Sequence, residues 1–245
     1  MIGGKLLFTV PMSPEYNVKV IIMNILPEDR IREVFSRYGL DTDDEFLHHA
    51  DRYISLMLER NKVLNLTRIT DTEGIIQKHL LDSVIVFRFA DLKGKFVDVG
   101  TGAGFPGIPV KLYRPSLEVT LIDSLNKRIE FLKEVSSQTL DLECIHIRAE
   151  EAGRKYREQF DHAAARAVAN FDVLCEYCLP LVKVGGTFLA YKGPTEEINT
   201  DAPKLFGGET VNIHEYELPD GDKRRIIEVA KISECDKKYP RRKIR

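Results

Sequence analysis

The run Val97-Asp98-Val99-Gly100-Thr101-Gly102-Ala103-Gly104-Phe105-Pro106-Gly107-Ile108-Pro109 constrains this chain more than any other stretch. It follows a strand-like apolar run that begins at Gly94, and it leads into a predicted helix. The spacing Gly102-x-Gly104-x-x-Gly107 fits the dinucleotide fingerprint. Glycines at such positions permit positive φ and let a ligand approach the bare backbone. The pattern asks for a strand–loop–helix unit with a ligand at the loop. Asp98 ends the strand and is expected to point its carboxylate into the same crevice. That charge would repel a pyrophosphate and attract a sulfonium or an α-amino group. The loop therefore reads as an S-adenosylmethionine (SAM) site before it reads as a NAD site.

The rest of the chain supplies the frame for such a loop. Its 245 residues suffice for one large domain with a helical cap. A hydrophobic content of 43% with 30% charged residues describes a soluble globular chain. No apolar run approaches the ~20 residues of a membrane span. The short apolar run 6–10 falls below the ~7–15 residues of a secretory signal core, so the cytoplasm is expected. Four cysteines in a chain of this length do not suggest a disulfide scaffold. Cys175 and Cys178 lie in an apolar helical run and are expected in the core. A lone Cys-x-x-Cys does not predict zinc, and no metal site is expected.

Residues 1–22 carry Gly3-Gly4, Pro11 and Pro14 without an amphipathic period, and read as an extension. Three helical patterns then follow: one from Pro27 to Gly39, one from Asp43 through Leu58, one from Asp71 through Phe87. Helices without a strand over 23–93 predict a cap. From 94 onward the pattern alternates, with strands at 96–99, 118–122, 142–147, 162–165 and 186–191. Helices are predicted between them at 106–113, 126–136 and 172–182. Alternation implies parallel strands with right-handed crossovers. Runs 209–215 and 225–232 flank Pro219-Asp220-Gly221-Asp222, which predicts an antiparallel hairpin at the sheet edge.

Strand ends carry the candidate site. Asp123 closes the second strand, nineteen residues past Gly104, where an acid accepts hydrogen bonds from ribose hydroxyls. Arg148-Ala149-Glu150-Glu151 follows the third strand and offers a backbone amide and an acid to adenine. Arg166 lies between alanines at the end of the fourth, facing the crevice, and is expected to touch SAM or RNA. Lys127 and Arg128 either meet RNA or form a solvated helix face. Arg148 and Lys192 also fall near strand carboxyl ends. His79 and Asp82, one helical turn apart, either shape the pocket or serve packing. The net charge of −2 is uneven: residues 223–245 hold ten basic and three acidic side chains, leaving that end at +7 and the remainder at −9. A basic tail on an acidic body predicts an anionic partner, with Lys238, Arg241 and Arg242 as contacts; a solvated end is the alternative.

Taken together, Asp98 to Pro109, Asp123-Ser124-Leu125 with Lys127-Arg128, Arg148 to Glu151, Ala165-Arg166-Ala167 and Tyr191-Lys192-Gly193 resemble the RsmG (GidB) family. Asn65-Leu66-Thr67, His79 to Ser83 and Lys238 to Arg241 extend the resemblance over about residues 24–243. It implies a Rossmann-like, SAM-dependent methyltransferase fold: a mostly parallel seven-stranded sheet, an antiparallel edge hairpin and an N-terminal helical cap. It implies SAM contacts at Gly100, Phe105, Asp123, Ser124, Leu125, Ala149, Glu150 and Arg166. The loop reading adds Asp98, Gly102 and Gly104. The implied activity is methylation of guanine N7 in 16S rRNA of the small ribosomal subunit; a monomer is expected. Lys192, Arg166 and His79 are the candidates for positioning. Guanine N7 has an in-plane lone pair and carries no proton at neutral pH, so no general base is required. That agrees with the absence of a conspicuous acid–base pair. A NAD(P)-dependent enzyme, a small-molecule methyltransferase and a noncatalytic RNA-binding module compete. Asp98, the basic tail and the intact cofactor constellation argue against them in turn.

Overall fold

The structure is a computed structural model that describes residues 25–241; the extension 1–22 and Arg242 lie outside the described residues. Seven strands form one sheet: β1 Lys95–Val99, β2 Glu118–Asp123, β3 Glu143–His146, β4 Phe160–Arg166, β5 Val182–Lys192, β6 Gly208–Glu217 and β7 Lys223–Lys231. Their order is β3-β2-β1-β4-β5-β7-β6. The first five are parallel, and β7 pairs antiparallel with both β5 and β6. This is the sheet that the resemblance implies, including the hairpin at the edge. Order reverses at β1 and β4, where Val97 pairs with Thr120 on one side and Ala163 on the other. A doubly wound sheet binds ligands at the carboxyl ends of its strands beside such a switch point.

Period-two alternation divides the core. Phe96, Leu121, Ala164, Leu189 and Ile226 face one side of the sheet. Val97, Val99, Ile122, Ala163, Ala165, Phe188 and Val229 face the other. The first side is covered by helices α1 Glu28–Ser36 and α2 Asp44–Leu64, by a composite helix α3 over 72–88, and by α4 Gly107–Tyr113 and α5 Asn126–Thr139. The second carries α6 Ala149–Lys155, α7 Phe171–Cys178 and the 3-10 turns Leu179–Leu181 and Ala202–Phe206. Ile31, Phe35, Leu47, Ile54 and Met57 are buried in one cluster with sheet residues, so the amino-terminal helices form a layer on the sheet. Asp43 caps α2 through Phe46 N–H, at 2.7 Å, the capping expected at an aspartate before an amphipathic run. No helix among the described residues is long and apolar enough to cross a membrane.

Two details depart from the periodicity. The third helical pattern is not one α-helix. It holds a seven-residue π-helical stretch, Ile75–Leu81, between α-helical turns, and ends as a 3-10 turn, Ile85–Arg88. The helix after β4 stops at Cys178, where a 3-10 turn containing Pro180 takes over. Proline cannot donate to an α-helical ladder, which explains the second departure.

Candidate active site

The carboxyl ends of the parallel strands open on a pocket of about 330 Å³. Gly100, Asp123, Ser124, Arg128, Arg148, Ala149 and Glu150 line it, which assembles most of the strand-end residues singled out above. Ile122, Ile147, Ala167, Val168, Ala169 and Tyr177 complete the walls. Tyr177 comes from α7, and no local pattern distinguishes it from a core helix residue.

Asp123 is nearly inaccessible, 3% exposed, yet oriented. One carboxylate oxygen accepts the Leu125 N–H at 2.8 Å. The other accepts the Gly102 N–H at 3.0 Å and a guanidinium N–H of Arg128 at 3.1 Å. The first oxygen retains acceptor capacity beyond its single bond, as a ribose-directed carboxylate requires. Glu150 is held by Arg148 at 2.9 Å, while the Arg148 side chain stays 64% exposed.

The glycine loop explains its own composition. Gly100, Gly102 and Gly104 have φ of 72°, 61° and 111°. A Cβ on Gly102 would meet nothing within 4 Å, so its face of the loop is open. A Cβ on Gly107 would lie 2.3 Å from Leu121, so this glycine lets α4 pack against β2. Gly100 and Thr101 both donate to the Ile122 carbonyl, at 2.9 and 3.0 Å, which fixes the loop over β2.

Asp98 stands differently from expectation. It is fully buried beneath the loop and does not line the pocket. One oxygen accepts from Thr101 Oγ1 at 2.6 Å and from the Gly107 N–H at 2.8 Å; the other has no hydrogen-bond partner. Burial raises its pKa to about 6 against those two hydrogen bonds. Its job is to hold the loop, because the turn places its side chain under the backbone that the ligand would meet.

Arg166 also departs from expectation. Its guanidinium donates to an Asp82 carboxylate oxygen at 2.8 Å and to the Lys78 carbonyl at 3.0 Å, and it lies 5.2 Å from the Phe105 ring centre. Tyr216 donates to the other Asp82 oxygen at 2.8 Å. Arg166 thus links β4 to α3 and is absent from the pocket wall. Phe105, 6% exposed, stacks on His79 with centroids 4.2 Å apart and planes 9° off parallel. His79 contacts Thr67 Oγ1 through Nε2 at 2.9 Å. Burial, aided by the Arg166 charge, lowers its pKa to about 3, so it stays a neutral packing partner of the loop. Lys192 is buried, pairs with Glu196 at 2.9 Å and donates to the Ala169 carbonyl. All three support the loops around the pocket through contacts within the protein. Gly104 is buried and Leu125 is 43% exposed, and neither lines the pocket.

The basic tail is not a free end as far as Arg241. Arg241 meets the buried carboxylate of Glu176 on α7 through its backbone N–H at 2.7 Å and its guanidinium at 2.5 Å. Burial pushes the Glu176 carboxyl up, and Arg241 more than offsets this, leaving it below its ordinary value. Arg154 and Arg157 hold the carbonyls of Pro240 and Cys235, each at 3.0 Å. Lys238 is exposed and pairs with Asp236 at 3.2 Å. Lys127 is exposed with no side-chain partner among the described residues.

Residues 47–214 match the family model described as GidB, rRNA small subunit methyltransferase G. Over 215 residues the chain is 47% identical to a ribosomal RNA small subunit methyltransferase G of Alkaliphilus metalliredigens, covering 83% of this chain and 90% of that one. The protein of the same description from Clostridium tetani is 44% identical over 226 residues, covering 87% and 94%. Among solved structures, a Pyrococcus horikoshii OT3 protein superposes with a TM-score of 0.51 at 16% identity, over 71% of this chain and 98% of that one. That likeness concerns the fold alone.

Proposed function

The chain belongs to the rRNA small subunit methyltransferase G family, and from that premise we propose that it transfers a methyl group from SAM to N7 of a guanine in 16S rRNA. The observation that carries the cofactor assignment is the pocket where an oriented carboxylate, Asp123, meets apolar walls and an open glycine loop. An adenosine fits that donor set. Asp123 would accept the ribose hydroxyls. Ala149 and Glu150 would meet the adenine edge, and Ile122, Ile147 and Tyr177 its faces. The backbone of Gly100 to Gly104 would approach the methionine portion closely, as only glycines allow.

SAM, when bound, supplies an electrophilic methyl on a sulfonium. The chain itself has no proton to remove, because guanine N7 presents a free lone pair. What its residues must do is orient and exclude water, and well-oriented systems gain about 7–11 kcal/mol from positioning. Asp98 and Thr101 hold the loop. Arg166, Asp82 and His79 fix Phe105 beside it. Lys192 and Glu196 fix the turn after β4. N7 lies in the deep, narrow groove of duplex RNA, so the target is a looped or extruded base. We further propose that it acts in the cytoplasm, where its ribosomal RNA substrate lies, and as a monomer.

Nucleoside mass analysis of small-subunit RNA after incubation with SAM and the protein tests the reading. Appearance of 7-methylguanosine, lost in Asp123→Ala, is expected. Methylation of small molecules without any change in the RNA would overturn it.

A further inference from the structure

The carboxyl end of α2 holds cations that the structure leaves unpartnered. Lys62 and Arg68 are exposed, and neither side chain has an ion pair or hydrogen bond among the described residues. Neighbouring arginines are neutralised: Arg30 by Glu33 and Glu73, Arg60 by Glu134. Beside Lys62, Val63 is 79% exposed. An apolar side chain standing in water next to free cations is not explained by packing.

The segment is rigid. Asn65 closes α2 at φ 51°. Asn61 brackets Thr67, donating Nδ2–H to its carbonyl and accepting its N–H at Oδ1, each at 2.9 Å. Thr67 Oγ1 accepts the Ile69 N–H at 3.0 Å and contacts His79, which stacks on Phe105. Arg68 is therefore built onto the glycine loop through successive contacts. Arg60 and Glu134 tie the same end of α2 to α5, whose first turn carries the unpartnered Lys127.

We propose that residues 62–68 are a docking edge for the single-stranded part of the RNA substrate, with Lys62 and Arg68 on phosphates and Val63 against a base or ribose. This rests on the RNA-methylation reading above. Unstacked RNA is held by cations along its backbone and by side chains that cover exposed base faces. A rigid edge contributes more affinity than a mobile one, since less freedom is lost on binding.

The test compares the parent with Lys62→Ser/Arg68→Ser, and separately with Val63→Ser. Binding is measured to isolated small ribosomal subunits and to RNA extracted from them, across a range of salt. Calorimetry with SAM and a thermal melt accompany each variant. Removing two phosphate contacts should flatten the log–log salt slope by about 1.4 and weaken RNA binding at least tenfold. Val63→Ser should weaken binding with the slope unchanged. SAM affinity and melting temperature should match the parent throughout. RNA binding by the parent with the same slope in the double variant would overturn the docking edge alone. No RNA binding by a parent that binds SAM would overturn the RNA reading and the docking edge with it.

Discussion

Asp98 beneath the loop and Gly102 within it show what a single position contributes. Asp98 is ionised at neutral pH in a site that disfavours charge, with its pKa raised to about 6 from 3.8. A raised carboxyl favours the folded state below its unfolded value, and that contribution disappears as pH rises through about 6. Asp98→Asn keeps an acceptor for Thr101 and Gly107 and removes the titration. The variant should match the parent near pH 4 and exceed it near pH 7, by at most about 3 kcal/mol. Urea unfolding at both pH values checks this, and an equal gap at both would contradict a buried ionisation. Gly102 sits at φ 61° with open space ahead of it. Gly102→Val should cost about 1–2 kcal/mol in stability from the left-handed backbone and abolish SAM binding in calorimetry. Undiminished SAM binding would place the cofactor away from this loop.

At the scale of elements, the joint between β4 and α3 is ionic. The side chains of Arg166 and Asp82 are 15% and 7% exposed. Asp82 also receives Tyr216 from β6, so one carboxylate ties three elements. Breaking a buried pair by removing one partner typically costs about 3–5 kcal/mol, because the other charge is left unpaired. Arg166→Ala should therefore lower the melting temperature markedly, and its folded fraction should turn over slowly because Phe105 loses its support. Replacing both partners, Arg166→Met with Asp82→Leu, should recover most of the lost stability. If Arg166→Ala melts with the parent while turnover collapses, the arginine touches ligand instead. The π-helical stretch in α3 belongs to this joint, since it carries both His79 and the Lys78 carbonyl that Arg166 grips.

Across the whole molecule, charge asymmetry and chain path are linked. An acidic body with a basic end suggests a tail reaching for RNA, yet the chain up to Arg241 is fastened to α6 and α7. Gly153 on α6 accommodates Pro240, whose ring would lie 2.9 Å from an added Cβ. The Glu176 side chain is 1% exposed. Arg241→Ala keeps the backbone N–H bond to Glu176 but leaves its buried carboxylate without the guanidinium, so it should lower the melting temperature. Thermal melts read this directly. Weakened RNA binding with an unchanged melt would instead make Arg241 a contact of the RNA.

The architecture was legible because it is written locally. Period-two runs with turn residues between them set the strands, and an apolar face every three or four residues set the helices. Glycine at Gly102 and Gly104 marked backbone that other residues resist adopting. An acid at a strand end, Asp123, followed from the same pattern, since strand ends converge at the switch point. Partners of charged side chains are not local. Asp82 lies 84 residues from Arg166, and Glu176 lies 65 residues from Arg241. Nothing in either neighbourhood names the other. The tertiary structure alone decided that Asp98 supports the loop from below, that Arg166 joins two layers, and that Tyr177 closes the pocket. A buried charge takes whichever opposite charge the packing brings within about 3 Å, and that proximity exists only once the chain has folded.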